Sequence, residues 1–108
     1  TQLSSRDAKT DFAETDADAV LARVARLPIT TWRYKDADRG DRHLGPVAQD
    51  FHAAFGLGRD DEHVAPTDLA GVALAAIQAL NAQIADRDAR IEALERRLTT
   101  LEQQRTER

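Results

Sequence analysis

The 108-residue sequence contains no cysteine, so it can form neither a disulfide bond nor a thiolate metal site. Aromatic residues make up only 5% of the chain, which leaves little bulk for an autonomous hydrophobic core. The formal net charge of −4 argues against general binding to nucleic acid, because such binding requires a basic face. We find no apolar run of membrane-spanning length and no signal peptide, and we therefore expect no contact with a membrane.

The sequence does contain one long stretch, residues 72–105, in which large aliphatic residues recur at alternating spacings of three and four. This period predicts a helix that winds around partner helices in a left-handed coiled coil. With Ile77 at heptad position a, seven of the eight a and d positions from Ile77 to Leu101 are large and aliphatic. The residues predicted to form the interface between chains are Val72, Ile77, Leu80, Ile84, Ile91, Leu94, Leu98 and Leu101.

The charges beside this stripe predict parallel helices. Arg90 and Arg97 occupy g positions, and Glu95 and Glu102 occupy e positions. In a parallel assembly each g arginine meets an e glutamate of a neighbouring chain, whereas an antiparallel pair would set like charges together. The exposed charge pairs contribute about 0.3–0.5 kcal/mol each, so they select orientation while the aliphatic residues drive association.

Two features of the stripe concern its specificity. Arg87 occupies a d position, where its stem can cover the seam while the guanidinium reaches Asp86 or Asp88. We expect a modest loss of stability that discourages other registers. Isoleucine at a with leucine at d is the pattern that favours a parallel dimer, so the heptads alone do not require three chains.

Residues 1–67 are predicted to form a small α+β head, followed by the long helix over residues 68–108. Local signals predict the following elements: a helix capped by Asp16 and ended by Pro28, a strand over residues 29–35, a turn over residues 36–41, a return strand over residues 42–44, a helix opened by Gly45 and Pro46 and ended by Gly56, a short strand at Val64, and a long helix capped by Thr67 or Asp68.

No residue pattern predicts a metal ion, a cofactor or a small-molecule ligand. His43, His52 and His63 do not have metal-ligand spacing. The acidic run at residues 60–62 is interpreted as a solvated turn, because it does not show the alternating ligands of a calcium loop.

Four ordered segments carry a resemblance to a known family: residues 4–9 (SSRDAK), 27–35 (LPITTWRYK), 43–51 (HLGPVAQDF) and 68–78 (DLAGVALAAIQ). They resemble the C-terminal intramolecular chaperone domain of phage tail fibres and tail spikes, the endosialidase-type chaperones also classed as S74 peptidases. The resemblance implies a homotrimer that holds the upstream shaft of the same polypeptide in register while the shaft folds. It also implies a location in a virion tail fibre or a bacterial surface fibre, assembled in the host cytoplasm.

The resemblance further implies self-cleavage by a Ser-Lys dyad. Ser4 would be the nucleophile that attacks the carbonyl of Leu3, Lys9 would be the general base, and His43 would orient the dyad or stabilise the oxyanion. A lysine accepts a proton from serine only in its neutral form, which burial or nearby positive charge favours. The family's aspartate after the nucleophile is Ser5 in this sequence.

Three functions follow as hypotheses. The first is a homotrimeric intramolecular chaperone with single-turnover self-cleavage before Ser4. The second is a permanent trimerisation cap without chemistry, motivated by Ser5. The third is a coiled-coil adaptor that binds a helix of another protein, which the self-complementary charges disfavour.

Overall fold

The computed structural model describes residues 2–36 and 40–107. Its elements are a 3-10 turn (Arg6–Ala8), α1 (Ala17–Arg26), β1 (Thr30–Trp32), β2 (His43–Gly45), α2 (Ala48–Phe55) and α3 (Pro66–Thr106). The molecule is elongated, with principal extents of 76 × 40 × 26 Å, because α3 extends well beyond the head. The predicted order of a small α+β head and a long C-terminal helix is confirmed.

Helix α1 forms where the sequence predicts it. The Asp16 carboxylate accepts a hydrogen bond of 3.1 Å from the Ala19 amide and so satisfies one free donor of the first turn. The helix ends at Arg26, because Leu27 precedes Pro28 and is held in extended backbone. Val20 on its apolar face is buried.

The predicted hairpin is present but short. Strands β1 and β2 pair antiparallel, with Thr30 opposite Gly45 and Trp32 opposite His43. The ladder has three residues in each strand instead of the seven predicted for residues 29–35, and the return strand begins one residue later than expected. The predicted turn, residues 36–41, includes residues 37–39, which lie outside the described part of the chain. The strand predicted at Val64 is wrong, since that residue lies in a loop.

Helix α2 ends as predicted and begins later than predicted. Gly56 adopts the left-handed conformation (φ 63°), and its amide donates a hydrogen bond of 2.8 Å to the His52 carbonyl. The prediction that Pro46 opens this helix is wrong. Gly45 is still paired in β2 and Val47 is extended, so the first helical residue is Ala48.

Helix α3 begins at Pro66, and the prediction that Thr67 or Asp68 caps it is wrong. Proline has no amide hydrogen and a φ suited to the first helical position, so Ala65 becomes the N-cap residue, without a side-chain hydrogen bond. Thr67 and Asp68 therefore lie within the first turn. The helix continues without interruption to Thr106, which places all predicted heptad positions on a single helix.

The core lies where α1 meets α2 and α3. Its buried apolar residues are Val20, Phe51, Ala76 and Ala79. The small side chains of the two alanines allow α1 to approach the α3 backbone closely. The Gln83 side-chain amide donates a hydrogen bond of 3.4 Å to the Asp18 carboxylate at the far end of this contact.

By length and composition, α3 meets a criterion for a membrane-crossing helix, since an 18-residue window has a mean hydropathy of 1.3 and at most two charged residues. The prediction that no apolar run reaches that length is wrong by this measure. Ala76 and Ala79 are buried in the head, so packing within the chain accounts for part of the apolar character of α3.

Candidate active site

A short turn brings Ser4 and Lys9 together. The Ser5 hydroxyl accepts a hydrogen bond of 3.2 Å from the Asp7 amide and caps the 3-10 turn Arg6–Ala8. The Lys9 amide donates a hydrogen bond of 3.2 Å to the Arg6 carbonyl, which closes the turn. The chain folds back on itself, and Lys9 Nζ donates a hydrogen bond of 2.7 Å to Ser4 Oγ.

This distance is within the range in which a base can take the proton of a nucleophile. Both side chains are exposed in the single chain, so nothing in the described residues shields the Lys9 amine from water. The two residues that the sequence predicts as nucleophile and base therefore have hydrogen-bonding geometry, without a desolvated environment.

The segment before Ser4 touches the start of α3. The Thr67 hydroxyl donates a hydrogen bond to the side-chain carbonyl of Gln2. Leu3 lies between Gln2 and Ser4 in the sequence, and its side chain is 77% exposed. The peptide bond between Leu3 and Ser4 is thus flanked by one residue hydrogen-bonded to α3 and one hydrogen-bonded to Lys9.

His43 lies in the hairpin and makes no hydrogen bond to Ser4 or Lys9 within the described residues. Its ring centre is 5.0 Å from that of Trp32 and 5.6 Å from that of Tyr34, while the Trp32 and Tyr34 rings meet edge to face at 5.0 Å. The single chain therefore gives His43 an aromatic packing role and does not join it to the other two predicted site residues.

The same aromatic cluster borders a cleft of about 380 Å³ between the hairpin and the first turn of α3. Its walls include Tyr34, Leu44, Val47 and Leu69. The Trp32 indole nitrogen is buried, and no group in residues 2–36 and 40–107 forms a hydrogen bond with it. Tyr34 and Leu44 are more than half exposed and Val47 is nearly half exposed, so this side of the head presents apolar surface in a single chain.

The acidic run at residues 60–62 forms a local turn. The Asp60 carboxylate accepts hydrogen bonds of 2.9 Å from the amides of Glu62 and His63. The Glu62 amide and the His63 side chain together lower the pKa of the Asp60 carboxyl below its ordinary value. Across residues 2–36 and 40–107, no group of three or more histidine, aspartate or glutamate side chains is arranged to hold a metal ion.

The predicted interface residues divide into two groups. Val72 is half-buried and shares a helical face with Ala76 and Ala79, which are buried. The other seven are between 46% and 59% exposed and lie along a different face of α3, which we call the seam: Ile77, Leu80, Ile84, Ile91, Leu94, Leu98 and Leu101. Large aliphatic side chains at heptad spacing thus remain uncovered in the single chain.

Several contacts of the site have no signal in the sequence. The Gln2–Thr67 hydrogen bond joins residues 65 positions apart, and neither residue type predicts the other. The aromatic cluster depends on the register of the hairpin, which the sequence did not predict. The cap provided by Ser5 could have been predicted from the sequence, because a serine hydroxyl often accepts a hydrogen bond from the backbone amide two residues later.

Comparison with known proteins agrees with the resemblance carried by these segments. The sequence profile described as chaperone of endosialidase, Peptidase S74, matches residues 4–57. The matched range begins at Ser4 and includes Lys9 and the block around His43, whereas the fourth resembling segment, residues 68–78, lies outside it. No individual curated protein matches the chain. Because the profile spans half of the chain and contains three of the four segments in order, the chain belongs to the Peptidase S74 family, the chaperones of endosialidase.

Proposed function

We propose that the chain is a homotrimeric intramolecular chaperone that aligns the upstream shaft of its own fibre polypeptide and is then released by self-cleavage before Ser4. The observation that carries the association is the seam, seven large aliphatic residues exposed on one face of an uninterrupted helix. The proposed setting is a phage tail fibre or a related bacterial surface fibre, which is the setting that the family resemblance implies.

The energetic argument for association rests on the aliphatic side chains. Burial of each one stabilises the assembly by roughly 1.5–3 kcal/mol before conformational entropy is subtracted. The charge pairs between Arg90 or Arg97 and the glutamates at e positions add little energy but favour parallel chains. A parallel coiled coil brings three copies of the upstream chain to the same end of the assembly.

This arrangement addresses the two difficulties in folding an intertwined shaft. Pairings between separate chains close slowly, and strands paired without guidance slip in register. A trimer joined through the seam raises the effective concentration of the three upstream segments and aligns them in the same register. The chaperone role follows from this alignment and needs no contact with the receptor of the fibre.

We favour three chains over two, although isoleucine at a with leucine at d favours a dimer. The family resemblance implies a trimer. The head also exposes apolar residues beside its cleft, namely Tyr34, Leu44 and Val47, which a neighbouring head can cover. The heptads then contribute only part of an interface whose stoichiometry the heads help to set.

The hydrogen bond between Lys9 Nζ and Ser4 Oγ supports the proposed cleavage. Ser4 Oγ attacks the carbonyl carbon of Leu3 through a five-membered ring and gives its proton to Lys9 Nζ. The bond from that carbonyl carbon to the Ser4 nitrogen breaks as Lys9 returns the proton to the nitrogen. An ester remains between Leu3 and Ser4 Oγ, and water hydrolyses it to the Leu3 carboxylate and a free Ser4 hydroxyl. His43 takes no part in these steps.

The exposure of the dyad links the proposed chemistry to assembly. Lysine acts as a base only when neutral, and exclusion of water favours that form. We propose that neighbouring subunits cover Ser4 and Lys9 in the trimer, so that the reaction is slow before assembly and proceeds after it. Arginine would not replace Lys9, because the guanidinium remains charged.

The departure from the family pattern at Ser5 is compatible with this geometry. The Ser5 hydroxyl accepts the Asp7 amide hydrogen bond that caps the turn. An aspartate side chain forms the same kind of cap, so the substitution preserves the fold of the turn that positions Lys9. We expect Ser5→Asp to retain cleavage and Ser5→Ala to slow it.

The test is a fusion of a folded reporter protein upstream of Thr1, with product masses measured under denaturing conditions after assembly. Wild type is expected to separate between Leu3 and Ser4, while Ser4→Ala and Lys9→Ala remain intact. Lys35→Ala is the matched control, since Lys35 is the other lysine of the chain, and it is expected to cleave like wild type. Hydroxylamine is expected to accelerate release and to leave a hydroxamate on Leu3, because it attacks esters.

The second candidate function is a permanent trimerisation cap, which is favoured by the exposure of Ser4 and Lys9 to water in the single chain. The same fusion separates the two. A trimeric wild type that stays intact would leave the cap as the function, and cleavage that persists in Ser4→Ala would contradict the assignment of the nucleophile.

A further inference from the structure

We propose that Thr67 and Gln2 form a tether that positions the Leu3–Ser4 bond and makes its cleavage depend on the first turn of α3. This inference rests on the proposed self-cleavage and assigns two positioning residues to it. Neither residue belongs to the dyad, and Thr67 lies outside the range matched by the family profile.

The tether is the hydrogen bond from the Thr67 hydroxyl to the side-chain carbonyl of Gln2, across 65 positions of sequence. The other hydrogen bonds of residues 2–9 connect members of that segment to one another. Within the described residues, the tether is therefore the hydrogen bond that joins the cleavage segment to the rest of the fold.

The position of the tether matters because it lies on the upstream side of the bond. Ser4 is held from the downstream side by Lys9, at 2.7 Å. Leu3 is 77% exposed, so packing of its side chain does not hold the carbonyl group that is attacked. Holding Gln2 restricts the upstream chain to orientations in which the Leu3 carbonyl remains beside Ser4 Oγ, and such restriction accelerates an intramolecular reaction.

Thr67 also connects the cleavage site to assembly. It is the second residue of α3, the same continuous helix that carries the seam. The hydroxyl occupies its observed place only when the first turn of α3 is helical. Association through the seam stabilises α3, and we infer that it thereby stabilises the tether before the bond is cut. The site therefore recognises Gln2, the second residue before the nucleophile, through the oxygen of its side-chain amide.

The test measures the rate of release in the assembled reporter fusion for four single variants and one double variant. Thr67→Val removes the hydroxyl and keeps the shape of the side chain, and Gln2→Ala removes the acceptor. Each is expected to slow release about tenfold, the rate equivalent of one hydrogen bond of typical net strength. Thr67→Ser restores the hydroxyl and is expected to cleave within about twofold of wild type, by the same reasoning. Thr99→Val is the matched control, because the Thr99 hydroxyl donates to the Glu95 carbonyl of its own helix.

The double variant Gln2→Ala with Thr67→Val is expected to be no slower than either single variant, because both remove the same hydrogen bond. Helix content and trimer mass are measured in parallel and are expected to match wild type. If wild type cleaves and Thr67→Val cleaves at the same rate, the tether is overturned and the self-cleavage stands. If wild type does not cleave at all, the proposed self-cleavage fails and the tether has no reaction to position.

Discussion

The head, residues 2–65, and the distal part of α3, residues 80–106, differ in how their apolar side chains are covered. In the head, Phe51 is 2% exposed and Val20 is buried against neighbouring helices of the same chain. Along distal α3, large aliphatic residues such as Ile84, Ile91 and Leu98 are more than half exposed. The head buries part of its apolar surface within one chain, whereas the seam is left exposed there and is covered only in the proposed trimer.

The two faces of helix α3 show the same contrast. The face that contacts α1 carries the small residues Ala76 and Ala79, which permit close packing. The face that carries the seam has isoleucine and leucine, whose bulk suits packing between helices of different chains. One helix therefore carries both a face that packs in the head and the face through which we propose that the chains associate, and a change on either face is expected to affect a different property.

The largest expected effect comes from Ile91→Asp in the seam. A carboxylate in the centre of the assembly loses roughly 1.5–3 kcal/mol of apolar burial per chain, and burial of its charge costs more. We expect the trimer to dissociate to monomers, as measured by light scattering, and the distal helix to lose ellipticity. Ala89→Asp, on the outer side of the heptad, is the control and is expected to remain trimeric. A trimeric Ile91→Asp would mean that the heads associate without the seam.

A second prediction removes the interruption at Arg87. Arg87→Leu completes the aliphatic seam and is expected to stabilise the assembly by about 1.5–3 kcal/mol per chain, seen as a higher thermal midpoint. We also expect additional association states, because the arginine no longer penalises shifted registers. Arg96→Leu replaces an arginine on the outer face and serves as the matched control. Equal midpoints for the two variants would contradict the assigned heptad register.

The smallest of the three effects is expected on the other face. Ala79→Leu inserts bulk between α1 and α3 and is expected to destabilise the head by about 1–3 kcal/mol, measured by chemical denaturation. The seam is untouched, so the trimer should persist. Ala89→Leu makes the same substitution at an exposed position and controls for helix propensity. If Ala79→Leu leaves head stability at the level of this control, the α1–α3 contact does not hold the head together.

Sequence reasoning succeeded where the deciding interaction is local. The cap at Asp16 and the termination at Gly56 depend on a few neighbouring residues, and both are confirmed. It failed at the start of α3, where a threonine and an aspartate resemble cap residues and Pro66 instead begins the helix earlier. Two local rules competed there, and the sequence does not rank them.

The candidate site follows the same division. Ser4 and Lys9 are five residues apart, so a single turn brings them into contact. Their spacing alone does not predict a dyad, and the pairing was predicted from the family resemblance. The contact between Gln2 and Thr67 depends on where the folded head places the N-terminal segment, and no local sequence pattern predicts that position. The position of His43 depends on strand pairing, and the aromatic ring that faces it is set by the register of the hairpin.

The most direct test of the central claim is the mass of the isolated chain in solution by light scattering. The account predicts a stable species at three times the chain mass of 11.9 kDa. A stable species at one or two times that mass would contradict the trimeric chaperone.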